Sequence, residues 1–129
     1  MPKLGRTSKE RLGTCEKDLQ LLFEEVIRTF DCSILCGYRG ERAQNEAFKR
    51  GNSKAKYPKG RHNSNPSRAV DVAPYPIDWT DRERFTYFAG YVKGIASQMG
   101  IKLIWGGDWD NDTDLSDNGF DDLVHFELK

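Results

Sequence analysis

The chain has 129 residues, and its 20 Lys+Arg balance 20 Asp+Glu to a formal net charge of zero. One hydrophobic core suits that length, and the charge balance removes the global attraction to phosphate on which general nucleic-acid binding depends. Three cysteines without a CxxC pair do not make a secreted disulfide framework, and the lack of an apolar leader or a membrane-length apolar run predicts a soluble cytoplasmic product with no membrane insertion.

In chain order, Leu12, Cys15, Leu19, Leu22, Phe23, Val26, Ile27 and Phe30 recur at steps of three and four. That spacing predicts one amphipathic helix over 8–30, its charges on the solvated face. "CSILCGY", 32–38, reads as a buried strand, and "ERAQNEAFKRG", 41–51, as a helix stopped at Gly51. Gly, Asn, Ser, Lys and Pro then mark a loop between Gly51 and Pro66, before a second buried strand, "RAVDVA". "TDRE", 80–83, fits a capping box in which Thr80 and Glu83 exchange hydrogen bonds. The helix it opens carries Phe85, Phe88, Ala89, Val92, Ile95, Ala96 and Met99 on one face and ends at Gly100. "IKLIW" is a third strand; the acidic loop "DWDNDTDLSDNGFDD" follows, and "LVHFEL" closes the chain as a last strand. With no repeat or linker, this order predicts one α+β domain: a small, mainly antiparallel sheet with helices packed on it.

Asp71 lies between Val70 and Val72, so strand alternation puts it on the face opposite the two valines. An inward carboxylate there would cost several kcal/mol unless compensated. Arg68, His62 with a metal, or a metal alone would remove that cost. His125, one of only two histidines, is flanked by Val124 and Phe126 in the last strand and should face away from them. Two neutral imidazoles and one carboxylate make a three-ligand zinc site with the fourth position open to water, the catalytic form of such a site. No HExxH signature ties two ligands to one helix. Cys32 and Cys36, four apart, are the rival ligand pair, but their apolar segment reads as core.

"GRHNSNPSRAVDVAPYP", "WGGDW", "FDDLVHFEL" and "GYRGERAQNEAF" together resemble blocks of the zinc-dependent peptidoglycan peptidases, which include phage L-alanyl-D-glutamate endopeptidases and bacterial D-alanyl-D-alanine carboxypeptidases. The resemblance runs from residue 37 to the C-terminus. It implies the zinc D,D-peptidase (hedgehog-like) fold, with one Zn2+ held by His62, Asp71 and His125. It makes Asp122 the general base, with the adjacent Asp121 its competitor, and Arg39 the cation facing the substrate carbonyl. Glu127 shares a strand face with His125 and is expected to orient that ligand, while Tyr75, Trp105 and Trp109 are candidates for the cleft wall.

The chain departs from the family pattern in three places. Gly60 holds a position often occupied by Ser, Asp71 falls nine residues after His62 rather than seven, and Val124 replaces a frequent proline. In the acidic loop 108–122, Asp108, Asp110, Asp112, Asp114 and Asp117 resemble the alternating oxygens of a calcium loop, but Thr113 stands where its glycine belongs and Gly119 where its glutamate belongs. A second cation such as Ca2+ is the expectation to test there, against a plain solvated loop. The resemblance implies a monomeric phage endolysin whose partner is the peptidoglycan stem peptide, without a separate wall-binding domain, held in the host cytoplasm until release to the wall. D-alanyl-D-alanine carboxypeptidase activity, or a non-catalytic wall-binding or virion role, are the alternatives.

Overall fold

The computed structural model describes residues 2–116 and 119–129, so Asp117 of the acidic loop lies outside the described residues. Four strands, β1 (Cys32–Cys36), β2 (Ala69–Pro74), β3 (Leu103–Trp105) and β4 (His125–Leu128), form one sheet in the order β1-β2-β4-β3. Every pairing is antiparallel. The helices are α1 (Arg6–Leu12), α2 (Lys17–Val26), α3 (Glu41–Lys49) and α4 (Arg82–Gln98), with a 3₁₀ turn at Arg61–Asn63. This is the α+β architecture that the sequence predicts.

The core lies between one sheet face and two helices. Leu19, Leu22, Phe23 and Val26 of α2 and Phe88, Ala89, Val92 and Ala96 of α4 pack with Val70, Val72 and Phe126. Phe126 is central: its ring meets Phe23 edge-on at 5.6 Å and Phe88 at 6.2 Å. Because side chains alternate across a strand, burying Phe126 turns its neighbours His125 and Glu127 to the opposite face.

Two local expectations are corrected. The helix expected over 8–30 is two helices, because the backbone leaves helical geometry to pair with the segment entering β2. Cys15 bridges Ser67 in parallel, Ser67 N donates to Thr14 O at 2.9 Å, and Glu16 N donates to Ser67 O at 2.9 Å. The expected cap of α4 moves by one residue. Asp81 accepts from Arg84 N at 3.1 Å, while Thr80 donates both its N–H, at 3.0 Å, and its hydroxyl, at 2.6 Å, to Asp78 Oδ1, which holds it in the turn before the helix. Met99, expected on the buried face of α4, is exposed at its C-cap. No helix among the described residues is long and apolar enough to cross a membrane.

Phe126→Ala should therefore cost about 3–5 kcal/mol of stability, the range for deleting a buried ring. Urea unfolding of the two proteins at one zinc concentration measures it.

Candidate metal centre

β2 is an interior strand, and Asp71 is its outward carboxylate. Across the sheet it is paired with Cys36 on one side and His125 on the other, forming a row on the face opposite Val70 and Val72. A register shift between Ile34 and Cys36 brings the thiol into that row. His62 reaches the same point from the 3₁₀ turn. Its Nε2 lies 3.1 Å from Asp71 Oδ1, and His125 Nδ1 lies 3.4 Å from the same oxygen.

The outer nitrogens decide the tautomers. His62 Nδ1 is 2.8 Å from Gly37 O, a group that only accepts, so the proton sits on Nδ1 and the Nε2 lone pair is left facing Asp71. His125 Nε2 is 2.8 Å from Glu127 Oε1, which in the same way leaves the Nδ1 lone pair facing inward. One atom from each of His62, Asp71 and His125 lies within 4.8 Å of the others. Two imidazole nitrogens and one carboxylate oxygen, the nitrogens oriented from behind, fit a tetrahedral divalent ion with one position left for solvent.

The electrostatics of the row favour positive charge. Burial pushes the Asp71 carboxyl up, but hydrogen bonds from His125 and His62 overcome it and hold the group well below the usual carboxylate range. Burial pushes the His62 imidazole down, and the Asp71 and Cys36 side chains more than reverse this, lifting it to about 10. His125 is raised too: burial opposes the charge, and Asp71 and Glu127 outweigh it. Without a cation, these side chains hold protons where a metal would otherwise neutralise the carboxylate. Arg68 does not supply that charge, since it pairs with Glu16 at 3.1 Å.

Asp122 and Asp121 separate clearly. Asp122 lines both cavities that meet at the centre, and burial, together with repulsion from Asp71, pushes its carboxyl up to about 6 against the pull of His125, His62 and Arg39. That suits a group that accepts and returns a proton near neutral pH. Asp121 is ion-paired with Arg82. Arg39 also lines both cavities, and Gln44 Oε1 accepts from its Nε at 2.8 Å. Glu127 is buried between His125 Nε2 and Arg61 Nε, the latter at 3.3 Å.

Of the aromatic candidates, only Trp109 borders the centre, its ring 5.1 Å from that of His125. Trp105 is a core residue whose Nε1 donates to Leu123 O at 2.8 Å. Tyr75 is exposed beyond the end of β2 and lines neither cavity. Cys32 is buried in the core, where burial lifts its thiol to about 12, and it does not join Cys36 in a ligand group among the described residues. Sequence reasoning missed Gln44, Trp79 and Phe120. Gln44, five residues after Arg39 and fully buried, was the one with a visible signal: a polar residue in the apolar register of a short helix.

Fold and site define an α+β protein with a two-histidine, one-carboxylate candidate metal centre on one face of an antiparallel sheet. The chain belongs to the phage L-alanyl-D-glutamate peptidase family, whose model matches residues 1–129. It is 34% identical, over 140 residues, to the L-alanyl-D-glutamate peptidase of Escherichia phage T5, a match covering 98% of this chain and 97% of that one. It is also similar to the crystal structure of the Serratia marcescens L-Ala D-Glu endopeptidase ChiX, with a TM-score of 0.77 at 25% identity over 99% of this chain and 91% of the other. The α+β fold expected from the sequence motifs is the one found.

Glu127→Ala should weaken metal affinity by about 10–100-fold, because it frees the His125 ring to change tautomer and tilt. Competition with a chromophoric zinc chelator gives the two dissociation constants directly.

Proposed function

We propose that this protein is a zinc metallopeptidase hydrolysing the L-alanyl–D-glutamate bond of peptidoglycan stem peptides, with residues 1–129 as its catalytic domain. One observation carries the reading: the inward lone pairs of His62 Nε2 and His125 Nδ1 converge on Asp71 Oδ1 while their outer nitrogens are already engaged. Family membership supplies the bond.

Zinc held by His62, Asp71 and His125 would supply Lewis acidity, polarising a carbonyl and lowering the pKa of water toward neutrality. Asp122 accepts the proton of the attacking water and returns it to the leaving amine nitrogen. Burial has raised its pKa to about 6, so it can do both near neutral pH. Arg39, its Nε held by Gln44, offers its remaining N–H groups to the oxygen on which charge develops. Glu127 and the Gly37 carbonyl keep both imidazoles aimed throughout.

Space on both sides of Arg39 and Asp122 supports an endopeptidase over a D-alanyl-D-alanine carboxypeptidase, which needs a closed end to hold a terminal carboxylate. Mass spectrometry of digested peptidoglycan tests the reading. The zinc-loaded protein should expose new amino-terminal D-glutamate, a chelator should abolish it, and Asp122→Ala should slow it by about a hundredfold or more. Free D-alanine as product, or turnover that survives chelation, overturns the reading. A non-catalytic wall-binding protein would release nothing. As a phage lysin, the enzyme would stay in the host cytoplasm until a membrane pore admits it to the wall; similarity to a phage peptidase supports the phage origin on which this rests.

The proposal extends to a second cation, such as calcium, in the acidic loop. Asp108, Asp110 and Asp112 each bring one carboxylate oxygen within 4.8 Å of the others. Asp108 is buried, its Oδ1 has no hydrogen-bond partner, and Thr113 adopts a φ of 69°, the conformation a calcium loop reserves for glycine. Millimolar calcium should raise the Tm of the zinc-loaded protein by several degrees and leave that of Asp108→Asn where it was. Equal shifts in both would rule the loop out.

A further inference from the structure

The two cavities that meet at the metal centre have unlike chemistry. The one bordered by His62 and His125 carries Arg39, Lys54, Lys59 and Arg61 against the carboxylates of Asp122 and Glu127. Glu127 is already engaged by Arg61 and His125. Neither Lys54 nor Lys59 forms an ion pair among the described residues; Lys54 Nζ instead sits over the Phe120 ring, 5.0 Å from its centroid. This cavity is a cationic end.

The opposite cavity, bordered by Asp71, is charge-paired: Glu46 lies 3.8 Å from Arg50, Asp121 pairs with Arg82 and Asp71 sits between the two histidines, and the cavity carries no lysine. On its rim stands Trp79, 65% exposed. Its ring stacks on Phe85 at 5.6 Å with 20° between the planes, which holds the indole in a fixed orientation with one face covered by protein. A broad, open aromatic plane beside a charge-paired cavity suits an uncharged partner with a flat apolar face.

We propose that the cleft reads its substrate in one direction: the Trp79 cavity takes the sugar and L-alanyl end, and the Lys54–Lys59 cavity takes the carboxylate-bearing D-glutamyl end. This rests on the L-alanyl–D-glutamate reading above. On the amino side of that bond the stem carries alanine, a lactyl ether and an N-acetylated sugar, none of them charged. The C–H face of a pyranose stacks on an aromatic plane. On the other side, D-glutamate is linked onward through its γ-carboxyl, so its α-carboxylate is free. The unpaired lysines attract that half, while the charge-paired cavity offers it no cation beyond the shared Arg39 and the already paired Arg50, so the reversed orientation forfeits the attraction. Lysine is a flexible point charge, fitted to carboxylates whose position varies along a linked chain. Arg39, Asn52, Phe120 and Asp122 line both cavities, so the seam between the two ends falls at the base and the oxyanion-facing cation.

The test uses the zinc-loaded protein and three soluble substrates: a disaccharide stem tripeptide, the same tripeptide carrying an acetyl group in place of the sugar, and the disaccharide form with the D-glutamate α-carboxylate amidated. Two ratios of kcat/KM are read, sugar over acetyl and carboxylate over amide. Trp79→Ala should lower the first by about tenfold, and Lys54→Gln/Lys59→Gln the second by a similar factor, each variant moving its own ratio more than the other. Trp79→Phe, which keeps a ring on Phe85, should recover most of the sugar preference and separates stacking from misfolding. The lysine pair is on the surface, so its variant does not depend on the core. Ratios that stay put, move together or move in the swapped order overturn the directional assignment. If the wild-type protein releases no amino-terminal D-glutamate from any substrate, the activity reading fails instead, so the two failures are distinct.

Discussion

One half-buried carboxylate, Asp71, organises the site. Asp71 sits on an interior strand whose other face is core, so its position is set by the same alternation that buries Val70 and Val72. A charge in that place is tolerated only with partners, and the fold brings them from three directions: a thiol from β1, an imidazole from β4 and an imidazole from a turn outside the sheet. The two histidines are each held from behind, one by a carbonyl and one by a carboxylate that is itself held by Arg61. What results is a set of side chains able to hold a cation, and the raised imidazoles and lowered carboxyl express the same demand in protons.

Arg39 and His62 form one mechanical unit. Arg39 N donates to His62 O at 2.8 Å, and Asn63 Nδ2 donates to Arg39 O at 2.8 Å. Gln44 is the knot: its Oε1 accepts from Arg39 and Asn63, and its Nε2 donates to Ser53 Oγ and Ala55 O. A buried amide with all four bonds made is rigid. The same knot explains Gly60, one of the three departures from the family pattern. A Cβ at Gly60 would fall 2.7 Å from Asn63 Oδ1 and 2.9 Å from the Gln44 amide. The missing side chain makes room for Gln44.

Much of the site was legible because its logic is local. Asp71 and His125 each sit between apolar residues in short strands, so alternation alone separates ligand from core. The helix break at residues 13–16 was hidden for the opposite reason. Leu12, Cys15 and Leu19 are all buried, so the apolar spacing is the same whether the chain stays helical or straightens to pair Cys15 with Ser67. The capping error has a similar cause: Thr80 and Asp81 are both good caps, and only the nearby Asp78 decides between them. Trp79, Phe120 and Lys54 were not legible at all, since the cavities they line are assembled from separate loops. Aromatic residues near the motifs gave no guide, as Trp105 went to the core and Tyr75 to the surface while Trp109 met His125.

Asp122, the proposed base, is placed by backbone rather than by its own side chain. Asp122 N donates to Gly106 O at 2.8 Å, and His125 N donates to Asp122 O at 3.1 Å. A Cβ at residue 106 would fall 2.1 Å from Asp122 O, so the contact exists only because that position is glycine. The segment after β3 therefore presses against the turn that enters β4, and the turn carries the proposed base and the candidate metal ligand together. Asp121, one residue earlier, lines only the cavity bordered by Asp71 and is claimed by Arg82. Any shift in the packing of "WGG" against this turn moves Asp122 and His125 together, which would keep the proposed proton acceptor in step with the candidate ligand.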